Sequence, residues 1–142
     1  MMTLERKRLE TQVLSRRLPS NTYVFRDLSP WGPVLTLAVR TNRKNLYTLN
    51  IVLCDFPENV PKVFVSQMLV DKTGKKLDSA SASMHTLTSE NNWTRLCHYG
   101  CNSWTPMVSL YKIYVKCRLW LEMYEQHLAT GNNIDYYLNH QQ

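Results

Sequence analysis

The sequence predicts an α+β fold in a single domain spanning residues 1–142. Its composition, with 44% hydrophobic and 20% charged residues among 142, is typical of one ordered globular domain with its own core. Apolar residues recur at helical spacing near both ends of the chain, whereas the stretch between them is rich in β-branched and aromatic residues. We therefore expect an N-terminal helix, a four-stranded antiparallel meander, a loop that holds cysteines and a long C-terminal helix.

The first element is predicted to be a short surface helix. Leu4, Leu9, Val13 and Leu14 form a narrow apolar stripe among charged residues. Pro19 follows the stripe and cannot continue a helix, so the helix should end before it.

Four strands are predicted next. Residues 23–25 form the first, and the runs VLTLAV, NLYTLNIVLCDF and KVFVSQMLV form the others, separated by turn residues. In the third strand, NLYTLNIVLCDF, the residues Tyr47, Leu49, Ile51 and Leu53 alternate with Thr48 and Asn50, which indicates one apolar face. Short connections between successive strands favour an antiparallel meander.

Residues 77–93 are polar and show neither the helical nor the strand period of apolar residues, so they are predicted to form a long loop beside the cysteines.

The last element is the helix whose apolar periodicity is the clearest in the chain. Thr105 is a candidate N-cap, Pro106 suits the first helical position, and Gly131 suits the end. A helix between them has about 25 residues and is roughly 37 Å long. Its apolar stripe consists of Leu110, Ile113, Tyr114, Cys117, Trp120, Leu121, Tyr124 and Leu128.

Charge and hydropathy restrict the partners. The net charge of +6 is concentrated in two short segments and forms no long basic stripe with interleaved aromatic residues, so we expect no nucleic-acid binding. No apolar run approaches the roughly 18 residues that span a bilayer, and the first residues lack the apolar stretch of a secretory signal. We therefore expect a cytoplasmic protein without a membrane partner, whose thiols stay reduced.

The four cysteines divide into two pairs by context. Cys54 lies on a predicted strand and Cys117 in the apolar stripe of the long helix, so both are predicted to be buried apolar side chains.

Cys97 and Cys101 instead lie in a loop that precedes a helix, where a thiol is reachable and its thiolate can be favoured. They are the candidate nucleophiles, with His85 or His98 as base. A zinc site formed by the same four residues is the alternative, because thiolate and imidazole suit tetrahedral zinc. The C-x3-C spacing without a second cysteine pair argues against it, and we expect no metal and no cofactor.

These features together resemble the ubiquitin-conjugating enzymes. In that family the meander ends in an aromatic-Pro pair followed by Pro-x-Val, and Phe56, Pro57, Pro61 and Val63 match this pattern. The second half of the chain resembles the bacterial branch of the family. The matching residues there are Leu96, Cys97, Tyr99, Trp104, Trp120, Leu121, Tyr124, Glu125, Thr130 and Gly131.

The resemblance implies that Cys97 is the nucleophile, while Cys101 could take that role or receive the acyl group from it. The His-Pro-Asn motif of the eukaryotic branch is missing, and its nearest match is the segment that begins at His85. Oxyanion support would then come from backbone N–H groups or from side chains. The candidate side chains are Asn91, Asn92, Asn102 and His98.

The implied activity is a thiol acyltransferase that carries the C-terminus of a partner protein as a thioester and passes it to a lysine. Bacterial members of this branch are associated with antiphage operons of the CBASS type, which makes a cGAS-like nucleotidyltransferase the expected partner.

The chain has no Gly-rich nucleotide loop with which it could adenylate a carboxylate itself. Either a separate activating enzyme loads the cysteine, or the thiol attacks a peptide bond near the partner's C-terminus. A catalytically silent partner-binding module and a small zinc adaptor are the alternatives. Self-modification at Lys72, Lys75 or Lys76 would be a side reaction.

Overall fold

The structure is a computed structural model that describes residues 1–100 and 102–139. It combines an antiparallel sheet with helices, so the predicted α+β class is confirmed. The helices are α1 (Leu4–Arg17), α2 (Leu110–Thr130) and α3 (Ile134–Asn139). The strands are β1 (Tyr23–Leu28), β2 (Gly32–Arg40), β3 (Leu46–Val52), β4 (Val63–Val65), β5 (Thr86–Glu90) and β6 (Trp93–Leu96).

The first four strands form the predicted meander. Each pairs antiparallel with the next, and the full sheet has the order β1-β2-β3-β4-β6-β5. The fourth strand is much shorter than expected, because pairing with β3 stops at Val65. Tyr47, Leu49 and Ile51 of β3 are buried, as their alternation predicts.

The predicted loop over residues 77–93 is wrong, because it contains β5 and the start of β6 and raises the strand count to six. The apolar period is weak here because Thr86 of β5 and Thr94 of β6 occupy buried positions. The Thr86 hydroxyl donates to the Ser79 carbonyl over 2.9 Å, and the Thr94 hydroxyl donates to the Leu77 carbonyl over 3.1 Å. Both threonines are almost fully buried, and these hydrogen bonds offset the cost of burying their hydroxyls.

Two asparagines make the turn between β5 and β6. Asn91 and Asn92 have φ values of 55° and 61°, the left-handed conformation that a two-residue hairpin turn of the primed type requires. Asparagine tolerates this conformation better than most residues. The Asn-Asn pair was therefore a hairpin signal within the polar segment.

The long helix begins later than predicted and ends as predicted. Ser109, not Thr105, is the N-cap, and its hydroxyl accepts from the Lys112 backbone N–H. Gly131 ends the helix with φ 86°, and its N–H donates to the His127 carbonyl. The helix therefore has 21 residues.

One face of α2 packs on the sheet and forms the main core. Cys117 is fully buried there, as predicted, and Trp120 and Tyr124 are buried beside it. Cys54 is exposed, so its predicted burial is wrong. The reason is that β3 ends at Val52, and Cys54 lies beyond the paired strand.

A charged network joins α1 to the start of α2. Arg6 pairs with Glu10 over 2.8 Å and donates to the carbonyls of Pro106 and Val108 over 2.6 and 3.0 Å. The second Glu10 oxygen accepts from the Leu110 N–H over 2.8 Å. These contacts fix the residues just before α2, at the C-terminal end of the loop that follows Cys97.

Within the residues described, no helix combines the length and hydropathy needed to cross a bilayer.

Candidate functional site

Cys97 follows β6 directly and lies opposite His85. Its N–H donates to the His85 carbonyl over 3.0 Å, which extends the β5–β6 pairing by one residue beyond Thr86 and Leu96. Opposite residues of an antiparallel pair project to the same face of a sheet. The strand pairing therefore brings together two of the predicted site residues, and it leaves the Cys97 side chain half-buried.

Both side chains line a cavity of about 360 Å³ between the end of the sheet and the helices. His98, Tyr99, Gly100 and Ser103 form the loop side of the wall, whereas Lys116, Leu119, Trp120 and Met123 line it from α2 and Leu138 from α3. A thiol in such a recess is accessible to an extended chain while apolar side chains limit the access of water.

His85 is held in an unusual backbone conformation. Its φ of 52° is left-handed, which costs a non-glycine residue roughly 1–2 kcal/mol. Two donors converge on its carbonyl and hold it there. The Trp120 indole N–H lies 3.1 Å away and the Cys97 N–H lies 3.0 Å away. Strain that the surroundings maintain is common where a side chain must be aimed.

Asp135 binds the His85 ring. Nε2 of His85 lies 3.0 Å from Oδ1 of Asp135, and the Asp135 N–H donates to the Ser83 carbonyl over 2.9 Å. A carboxylate only accepts, so Nε2 of His85 carries the hydrogen and Nδ1 is the nitrogen that can take a proton. The cysteine, histidine and carboxylate together have the composition of an activated-nucleophile site. Sequence analysis missed Asp135, since it follows the long helix and no local motif marks it.

His98 has a different environment. Its Nε2–H donates to the Pro61 carbonyl over 2.8 Å, and its buried Nδ1 has no hydrogen-bond partner within residues 1–100 and 102–139. Burial, helped by the positive charges of Lys116 and Arg95, lowers the pKa of His98 to about 4. His98 is therefore neutral near pH 7 and a weak base, which favours His85 for that role.

The loop after Cys97 is packed on both sides. The Trp104 indole N–H donates to the Pro57 carbonyl over 3.0 Å, and the Trp104 ring packs edge-on against Tyr99 and Phe56. On the other side, the Lys116 Nζ lies 3.7 Å from the centre of the Tyr99 ring. Sequence analysis did not single out Lys116.

The second candidate nucleophile, Cys101, is also a candidate ligand of the alternative zinc site. Cys101 lies outside the described residues. In the described ranges on either side of it, no three His, Cys, Asp or Glu side chains lie together as a metal site. His85 and His98 instead bind Asp135 and Pro61, as given above.

The oxyanion candidates are also separated by the fold. Asn91 and Asn92 form the turn at the far end of β6 from Cys97. Five or six residues at roughly 3.3 Å per strand residue separate them from Cys97 by about 16–20 Å, which excludes them from direct contact with the thiol. Asn102 and His98 remain close to Cys97 in the chain.

No protein-family model, no curated protein and no solved structure matches the chain.

Proposed function

We propose that the protein is a cysteine-dependent acyltransferase of the ubiquitin-conjugating type, in which Cys97 carries the C-terminal acyl group of a partner protein as a thioester. The observation that carries the proposal is the shared cavity. The half-buried Cys97 thiol and the His85 ring both line it, and Nε2 of His85 is bound to the Asp135 carboxylate.

The chemistry has two steps. The Cys97 thiolate attacks the carbonyl carbon of an activated partner carboxyl group, a C–S bond forms, and the activating group leaves. A lysine amine then attacks the thioester, so that a C–N bond forms and the C–S bond breaks. His85, with Nδ1 available, takes the proton of the Cys97 thiol before the first attack and passes it to the leaving group. In the second step the proton that the amine loses passes through His85 to the leaving Cys97 thiolate, and in both steps Asp135 stabilises the imidazolium.

The resemblance to the bacterial branch of the family suggests the partner and the setting. We propose the C-terminus of a cGAS-like nucleotidyltransferase as the carried group, in regulation of antiphage signalling. A separate activating enzyme supplies the adenylated carboxyl group, or Cys97 attacks a peptide bond near the partner's C-terminus. In the second case the amine of the released residue is the leaving group.

Intact mass under non-reducing conditions tests this function. The wild type, Cys97→Ala and Cys101→Ala are each mixed with a cGAS-like nucleotidyltransferase, with and without ATP and an activating enzyme. An adduct that thiols release, and that only Cys97→Ala loses, is the expected result.

Loss of the adduct in Cys101→Ala alone would move the nucleophile four residues along the loop. A complex without any covalent adduct would contradict catalysis and support the partner-binding module instead. A zinc content of one per chain would support the adaptor.

A further inference from the structure

Lys116 is the lysine that the described part of the chain contributes to the wall of the Cys97 cavity. Resting on the acyl-carrier function proposed above, we propose that Lys116 is an internal acyl acceptor, which takes the acyl group from Cys97 and leaves the protein modified on its own helix.

The position of Lys116 supports this role. It lies in the middle of α2, one turn before Trp120, and its side chain is half-buried. Its Nζ rests on the face of Tyr99, two residues beyond Cys97 in the chain. Attraction between the ammonium and the ring holds the amine at the cysteine loop. Lys112, one turn earlier on α2, is exposed and does not line the cavity.

The lysines that sequence analysis considered for self-modification lie elsewhere. Lys72, Lys75 and Lys76 surround the turn at Gly74, and the Lys72 Nζ donates to the Gly131 carbonyl at the C-terminal end of α2. The cavity wall, as the described residues form it, contains none of them. We therefore expect self-modification at Lys116 on α2 and not at the lysines around Gly74.

The amine is suited to acyl transfer. Burial, and secondarily the positive charge of Lys112, lowers the pKa of Lys116, so more of it is the neutral nucleophile at a given pH. The neutral amine attacks the thioester carbon, a C–N bond forms, and the C–S bond breaks. The proton that the amine loses passes to the leaving thiolate, which regenerates the Cys97 thiol. No oxidant or reductant is needed.

The experiment uses a small thioester, N-acetylglycine mercaptoethanesulfonate, so that it does not depend on the identity of the partner. Cys97 takes the acyl group by thiol exchange. Treatment with hydroxylamine then separates thioesters, which it cleaves, from amides, which it does not. All proteins carry Cys54→Ser, because the exposed Cys54 would also react with the probe. Peptide mass spectrometry locates each adduct.

We expect an amide on Lys116 in the otherwise wild-type protein. Lys116→Arg keeps the charge and the contact with Tyr99 but lacks the nucleophile, so it should hold a thioester at Cys97 and form about tenfold less amide. Lys112→Arg should behave as the wild type. Cys97→Ala should lose the Lys116 amide by a similar factor, because direct aminolysis lacks the intramolecular advantage.

A Cys97 thioester that never reaches Lys116 would overturn the proposal and leave the acyl-carrier function standing. Equal modification of Lys116 in Cys97→Ala would also overturn it, because the amine would then react without the thiol. Failure to form any thioester at Cys97 would contradict the carrier function itself and, with it, the acceptor role.

Discussion

Replacing Glu10 with Gln tests whether the network between α1 and α2 stabilises the protein. Glu10 is 5% exposed, and its two oxygens accept from the Arg6 guanidinium and from the Leu110 N–H, each over 2.8 Å. Gln keeps one acceptor oxygen but has an NH2 donor in place of the other, so one hydrogen bond loses its charge, the second is lost, and the negative charge at the N-terminus of α2 disappears. Removing the charge from one bond costs about 1 kcal/mol, losing the other costs about 1.5 kcal/mol, and the helix terminus adds about 0.5 kcal/mol. We therefore expect Glu10→Gln to lower the free energy of unfolding by about 3 kcal/mol.

Urea unfolding at pH 7 measures this difference, with the midpoint lowered and the slope unchanged. The matched control is Glu5→Gln on the same helix. Glu5 pairs with Arg8 over 2.6 Å, but both side chains are about two-thirds exposed, so its loss should cost under about 0.5 kcal/mol. Equal and small losses in the two variants would refute the reasoning, because burial would then add nothing to the charged network.

Three further predictions concern the site and its thiols. Asp135→Asn should slow loading of the thioester probe about ten- to a hundredfold, because the His85 tautomer is no longer fixed; loading rates at pH 7 equal to the wild type would contradict the role of the carboxylate. His98 binds its proton far less readily when folded, with a pKa of about 4 against 6.5 for the free side chain. The unfolded chain therefore binds more protons in this window, so stability should fall by up to roughly 3 kcal/mol as the pH drops from 6.5 to 4. His98→Gln should flatten that part of the stability–pH curve, and a curve with unchanged slope would exclude His98 as its source. Burial raises the pKa of Cys117 to about 12, so in a timed thiol titration Cys117 should react only on unfolding, whereas Cys54 reacts at once.

Local signals predicted much of the fold. The alternation of apolar residues identified β3, and Gly131 marked the end of α2 because its left-handed conformation is a property of a single residue. The β5–β6 hairpin was not predicted because its buried positions include Thr86 and Thr94, whose hydroxyls donate to the carbonyls of Ser79 and Leu77. No periodicity of hydropathy reports that kind of burial.

The sequence predicted the cysteine and the histidine of the site but not the residues that other elements contribute. Cys97 and His85 stood out by residue type and by the resemblance, and strand pairing brings them together. Asp135 and Lys116 join the site through the docking of α3 and α2, which depends on contacts between residues far apart in sequence. The choice between His85 and His98 also needed the structure, because burial and the Pro61 carbonyl determine it.

The order of these elements along the chain has a consequence for synthesis. Cys97 precedes α2 and α3 in the chain, so it is synthesised first and at that time lacks every contact that they supply. The lysine, the indole that clamps His85 and the carboxylate all arrive later. Pairing of neighbouring strands needs only short loops to close, whereas the cavity needs contacts across most of the chain. A nascent or partly folded chain should therefore hold Cys97 without the cavity, the His85–Asp135 pair or Lys116, so the thiol gains its final surroundings only when the whole chain folds.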